Sequence, residues 1–477
     1  MTATFSEYLN EIAPAMKELI AVLNEHYDYV SVLSSDSVGF TAAISQYAKS
    51  VSNSTIATER GNVVRVYKDG LYSEYAFNCF DTNKISGLCE EIMQALDSQL
   101  ELLKETGVKV FETPVLPDEP IAVFEEMETG SMPENTSLEK LVEELTSVSN
   151  EVVNSSEAIV ECIVRGSSTH VNKMFLSTNR DMRQSYVFTE GMAAPIAMKD
   201  GHNEMSYTSV SGRKGPEILS SLREQALEAA KTAEELLDAE TIVPGEYEII
   251  TTPEVSGLIA HEAFGHGVEM DMFVKNRALG KEYINKRVGS DLVTMHEGAL
   301  CTEEVASYAF DDEGTLAGDT IEIQNGILKT GVCDALSALR LGGKPTGNGK
   351  RENFEHKVYT RMTNTVFDAG NNTLDEMIAS VKSGYLLKGM KSGMEDPKHW
   401  GIQCIIERGY EIKDGKLTGK VVAPIIMTGY VPDLLGSITM AGTEKEVFGS
   451  GACGKGHKEW VKVSDGGPCL KAKARLG

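Results

Sequence analysis

Two histidines and a glutamate in the segment GLIAHEAFGHGVEMD, Gly257 to Asp271, carry side chains able to bind a metal and activate water. The spacing is H-E-x-x-x-H, formed by His261, Glu262 and His266. Neutral imidazoles bind zinc, a third protein ligand leaves a fourth position for water, and a neighbouring carboxylate can take the proton. Glu262, adjacent to the first histidine, is the candidate general base. The common zinc-peptidase pattern is one residue shorter, H-E-x-x-H. At roughly 100° per residue, positions i and i+4 lie about 40° apart on a helix, whereas i and i+5 lie about 140° apart. A straight helix would therefore hold His261 and His266 away from a common ion. A π turn would bring them back into register. Gly265 offers another route, by ending or unwinding the helix at the second histidine, and Gly267 adds a second break. By itself the motif is weak, and a core histidine beside a loop histidine is the ordinary alternative.

The residues leave the third ligand open. Glu269 and Asp271 lie nearby, and far along the chain FGSGACGKGHKEW offers Cys453 among small residues, with His457 four positions on. A thiolate is a good zinc ligand. The same stretch reads GSGACGK from Gly449 to Lys455, which fits the first part of a phosphate-binding loop. Gly456 stands where that loop needs Ser or Thr, and the following residues do not read as a helix. An ATP site is not expected.

The elements that must position these groups divide near residue 242. An amphipathic helix opens the chain, followed by strands with a hairpin signal at Asp69–Gly70 and a helix from Lys84 to Glu105. The proline-rich, acidic stretch from Phe111 to Ser137 reads as an exposed loop. A helix should follow it, with Thr136 and Glu139 as a capping box. Residues 157–212 read as β-rich, and Pro216–Glu240 as a long helix. In the second half, EYEII reads as a strand, and Thr252 with Pro253 marks the start of the helix that carries His261. Asn325–Gly326 and Asp414–Gly415 signal hairpins, LDEMIASVKSGYLL a helix, and the chain beyond Gly401 strands. The expected class is α+β: an α/β domain with antiparallel strands at 1–242, and a β-rich domain at 243–477 carrying an interrupted metal-binding helix.

With 477 residues, 41% hydrophobic and 24% charged, the chain falls in the ordinary globular range and is long enough for a large core. Its net charge of −26 argues against direct contact with nucleic acid or anionic lipid. Eight cysteines without a C-x-x-C pair suit a reducing cytoplasm. The N-terminus does not read as a signal peptide, and no apolar run approaches the ~20 residues that span a bilayer.

The segment around His261 resembles the metal helix of the TldD/PmbA family, peptidases also described as modulators of DNA gyrase. FDDEGT (Phe310–Thr315), GNGKR (Gly347–Arg351), RMTNT (Arg361–Thr365) and ACGK (Ala452–Lys455) resemble family blocks in the same order. The resemblance covers most of the second half, and the first half only in layout. It implies that His261, His266 and Cys453 hold zinc and that Glu262 is the catalytic base. It further implies a TldD-type active chain that hydrolyses unfolded or extended peptides, and a dimer with an inactive sister subunit or with a second copy. The alternative expectation is a noncatalytic binding subunit whose metal site is closed by a fourth ligand, His457 or Glu269, or is absent. The tail after Cys453 is more basic and aromatic than the family pattern, and the RMTNT block has no role derivable from sequence. Arg361 is equally readable as a peptide-binding group and as a buried structural arginine.

Overall fold

The structure, a computed structural model, describes residues 1–105, 112–455 and 459–477. The first half is built on a nine-stranded sheet. Its centre is three long strands, Tyr29–Ile44, Ile159–Ser177 and Arg180–Lys199, paired antiparallel, with one register kept along the first two. Successive side chains of a strand point to opposite faces. Val30, Val32, Phe40, Ala42 and Ile44 therefore share one face, and four helices cover it: Glu7–Asn24, Ile85–Glu105, Leu138–Val153 and Leu222–Leu236. Leu33 and Phe175 point to the opposite face, where they meet Phe310 from the second half of the chain.

The second half forms an eleven-stranded sheet. Five of its strands close on themselves, because Gly245–Thr251 pairs with both Ser383–Asp396 and Ser464–Leu476. The helix Pro253–Ala260 packs into this sheet, with Val255, Leu258, Ile259 and Ala260 all buried. A helix apolar on every side belongs in a core.

Most of the expected elements are present. The three hairpins turn at Asp69–Gly70, Asn325–Gly326 and Asp414–Gly415, each pair with positive φ. Four expectations need correction. The proline-rich stretch is not all loop: Ile121–Glu126 is a strand parallel to Arg180–Ser185, held by pairing with a distant segment. Its helix neighbour starts with Ser137 as N-cap, accepting from the Lys140 N–H, not with a Thr136–Glu139 box. Pro216–Ser221 is a 3₁₀ turn before the helix proper. LDEMIASVKSGYLL is helical only over Leu374–Ala379, after which Ser383 begins a long strand. Among the described residues no helix is long and apolar enough to cross a membrane, and all eight cysteines are free.

The two halves meet through buried charge. Arg65 of the first half reaches Glu313, Lys173 reaches Asp312, and Gln184 bonds the Phe310 carbonyl at 2.9 Å. Glu74 accepts from Arg65 at 2.8 Å and from Arg351 of the second half at 3.0 Å. Burial raises the Glu74 carboxyl, but the two guanidinium groups outweigh it and hold its pKa at about 2. A depressed carboxylate stabilises the fold above its unfolded pKa of 4.5, and that contribution is lost as pH falls from 4.5 towards 2. The shift corresponds to a stabilisation on the order of 3 kcal/mol. Glu74→Gln should lower the denaturant midpoint at pH 7 and flatten the fall in stability between pH 5 and pH 3. An unchanged midpoint and slope in denaturant titrations would show that this junction contributes nothing.

Candidate metal centre

After Thr252 as N-cap and Pro253 in the first turn, the α-helix runs to Ala260 and then widens. His261–Gly265 is a π turn, and His266–Val268 is a tighter 3₁₀ turn. The widened turn brings the i and i+5 imidazoles together, with ring centroids 5.2 Å apart. Gly265 does not unwind the helix; its φ of −53° is helical. Its missing side chain is what matters, because a Cβ there would collide with the sulfur of Met362.

Cys453 reaches the pair from a hairpin, Ala452–Lys455 against Glu459–Lys462. Its Sγ lies 3.3 Å from His266 Nε2. One ligand atom from each of His261, His266 and Cys453 falls within 4.8 Å of the others. Zinc bonds of about 2.0–2.3 Å put tetrahedral donors roughly 3.3–3.8 Å apart, so this donor set fits zinc with little adjustment. Burial disfavours the Cys453 thiolate, yet the two imidazoles outweigh it and bring its pKa down to about 4. Burial likewise disfavours a charged His261, and the thiolate outweighs it to raise the ring to about 9. The three groups thus share charge in a largely buried site, the condition that a divalent cation relieves by replacing protons.

The other candidate ligands have different partners. Glu269 Oε2 lies 3.1 Å from His266 Nδ1, so it orients the ring from behind. Burial raises the Glu269 carboxyl, but Lys455, His266 and Arg361 together hold it down at about 2. Asp271 pairs with Lys455 at 2.8 Å and Lys275 at 3.0 Å. His457 lies outside the described residues. Glu262 is buried against Gly393 and lines the same cleft as the three donors, a space of about 900 Å³. Asp465 also lines it, pushed up to about 7 by burial.

Lys455 closes the matter of the glycine-rich stretch. Its ammonium is engaged by Glu269, Asp271 and the Thr360 carbonyl, and the strand Glu459–Lys462 lies beyond it where a phosphate loop needs a helix.

The RMTNT block, opaque in sequence, is the frame of the site. Arg361 is the structural arginine of the two readings: fully buried, it donates to the Cys453 carbonyl at 2.6 Å and the Glu459 carbonyl at 2.8 Å, clamping both strands of the hairpin. Met362 packs on Gly265. Thr363 and Thr365 hydroxyls donate to Glu297 at 2.6 and 2.5 Å, and Asn348 of the GNGKR block donates to the same carboxylate at 3.1 Å.

Residues 244–471 match the family model of the PmbA/TldA metallopeptidase C-terminal domain. A metalloprotease of Methanocaldococcus jannaschii is 32% identical over 281 residues, which is 59% of this chain and 61% of that protein. The zinc metalloprotease TldD homolog of Saccharolobus solfataricus is 32% identical over 240 residues, 50% of this chain and 52% of that protein. Residues 244–471 thus resemble the C-terminal domain of the PmbA/TldD metallopeptidase family. The alignments span little more than half the length of these relatives. The crystal structure of TldE from Thermococcus kodakarensis superposes with a TM-score of 0.76 at 17% identity, covering 97% of this chain and all of that one, so the TldD/PmbA fold extends over both halves.

Removing the carboxylate behind His266 should loosen the site without dismantling it. Glu269→Gln is expected to weaken zinc binding by roughly 10- to 100-fold in competition titrations with a chelating dye. Unchanged affinity would mean that Glu269 serves Lys455 alone.

Proposed function

We propose that this chain is a zinc peptidase that hydrolyses unfolded or extended peptides. His261, His266 and Cys453 hold the ion, and Glu262 is the general base. The observation that carries the reading is the largely buried two-histidine, one-thiolate cluster lining an open cleft, with Glu262 in the same lining. Three ligands and an open side suit a catalytic zinc better than a structural one, which has four protein ligands. Glu269, a candidate to close the site, is turned to His266 Nδ1 instead. Bound zinc would act as a Lewis acid and lower the pKa of water.

The chain's own groups supply the rest. Glu262 takes the proton from the attacking water and passes it to the departing amine, so one water adds across the amide and leaves a carboxylate and an amine. Glu269 fixes the His266 ring through Nδ1, and Arg361 fixes the Cys453 backbone. The same reading takes 1–242 and 243–477 as the two domains and the cytoplasm as the location. It also includes a dimer, with a noncatalytic sister chain or a second copy.

Replacing Glu262 by Gln keeps the shape and removes the base. Turnover of a casein-derived or other unfolded peptide should fall by about 10²–10⁴ with zinc content unchanged. Wild-type turnover in the variant, or loss of its zinc, would contradict the assigned role.

A further inference from the structure

We propose that the metal cleft selects peptide segments rich in Asp and Glu, through a rim of exposed cations at Lys275, Arg277 and Lys391. The inference rests on the peptide-hydrolysing reading and specifies its substrate class. Every solvent-exposed charged side chain lining the cleft is basic, and these three are the whole set among the described residues. The acids that line it are sunk in the floor. Glu262, Glu269 and Asp465 are buried, and both carboxylate oxygens of Glu395 are sealed from solvent. An entering chain therefore meets positive charge at the rim. This reverses the sign of the molecule as a whole, whose net charge is −26.

Two of the three rim cations are not consumed internally. Lys275 pairs with Asp271 at 3.0 Å, whereas Arg277 and Lys391 make no ion pair among the described residues. The rim also continues. A second groove, about 460 Å³, lies against the first-half strands, shares Lys275 and Tyr359 with the cleft, and adds the exposed Lys357 beside one exposed acid, Glu355. Between the charges the walls are adaptable: Met272, Met390 and the exposed Met394 line the cleft. Methionine accommodates many apolar shapes, so these walls discriminate weakly while the rim discriminates by charge. A nucleic acid would present the same sign, but a long phosphate backbone would be repelled by the acidic surface beyond the rim.

The test uses the zinc-loaded Glu262→Gln chain and two fluorescein-labelled unfolded peptides of equal length, one carrying four Glu and the other Gln at the same positions. Anisotropy titration should give about tenfold tighter binding of the acidic peptide at low salt, since each exposed ion pair contributes up to about fivefold. The gap should shrink at high salt, because exposed charges are screened. It should also collapse in the Arg277→Gln/Lys391→Gln double variant, with circular dichroism and zinc content confirming that the variant is folded and loaded. Equal affinity for the two peptides, or a gap that survives the double variant, would overturn the proposal. So would tighter binding of a single-stranded oligonucleotide than of the acidic peptide. Failure of the zinc-loaded wild type to cleave either peptide would instead contradict the peptidase reading, and the binding comparison would still decide the rim.

Discussion

Everything in the second half turns on bringing a thiol to two imidazoles across 187 residues of chain. His261 and Cys453 are buried and His266 is half-buried, and burial alone disfavours charge on any of them. They tolerate one another because the thiolate and the rings neutralise each other, and that balance holds only if the distances are kept. The surrounding structure keeps them. A π turn swings His266 round to His261, a glycine lets Met362 press against that turn, and Arg361 ties the hairpin of Cys453 by its carbonyls. Glu269 fixes one ring and, with Asp271, anchors Lys455 two residues beyond the cysteine. Positioning and electrostatics are thus one network, and it explains why so many polar side chains lie in the interior.

The junction of the halves follows the same economy. Alternation along the central strands sends apolar side chains to four helices on one face. It sends Lys173 and Gln184 to the other, where, with Arg65 of the neighbouring strand Glu59–Lys68, they meet the FDDEGT block, and Glu74 joins Arg351 of the GNGKR block. Those blocks also reach back to the site, because Asn348 and the threonines of the RMTNT block share Glu297. One buried polar layer therefore links the first-half sheet to the frame of the metal centre.

How much of this was readable in sequence depended on range. Local signals worked: the three two-residue turns require positive φ at both positions, and Asp-Gly and Asn-Gly tolerate it. His261, Glu262 and His266 stood out as candidates because side-chain type and spacing are local, and helical arithmetic required either a π turn or a break at Gly265 to bring the histidines together. Cys453 stood among several candidate ligands and was selected only by the resemblance, since no local pattern separates a ligand thiol from a core thiol. The role of Arg361 was hidden, because its partner carbonyl is 92 residues away. The strand Ile121–Glu126 was hidden for the same reason: it exists through a parallel pairing to a distant strand, and its flanking prolines argued for a loop.

The central claim is that two remote segments make one zinc site, and elemental analysis of the purified chain beside its Cys453→Ala variant tests it most directly. The account predicts about one zinc per chain in the wild type. It predicts loss of that zinc in the variant, with the far-ultraviolet circular dichroism retained. A wild-type chain that takes up no zinc under metal-replete conditions, or a variant that keeps it, would contradict the account.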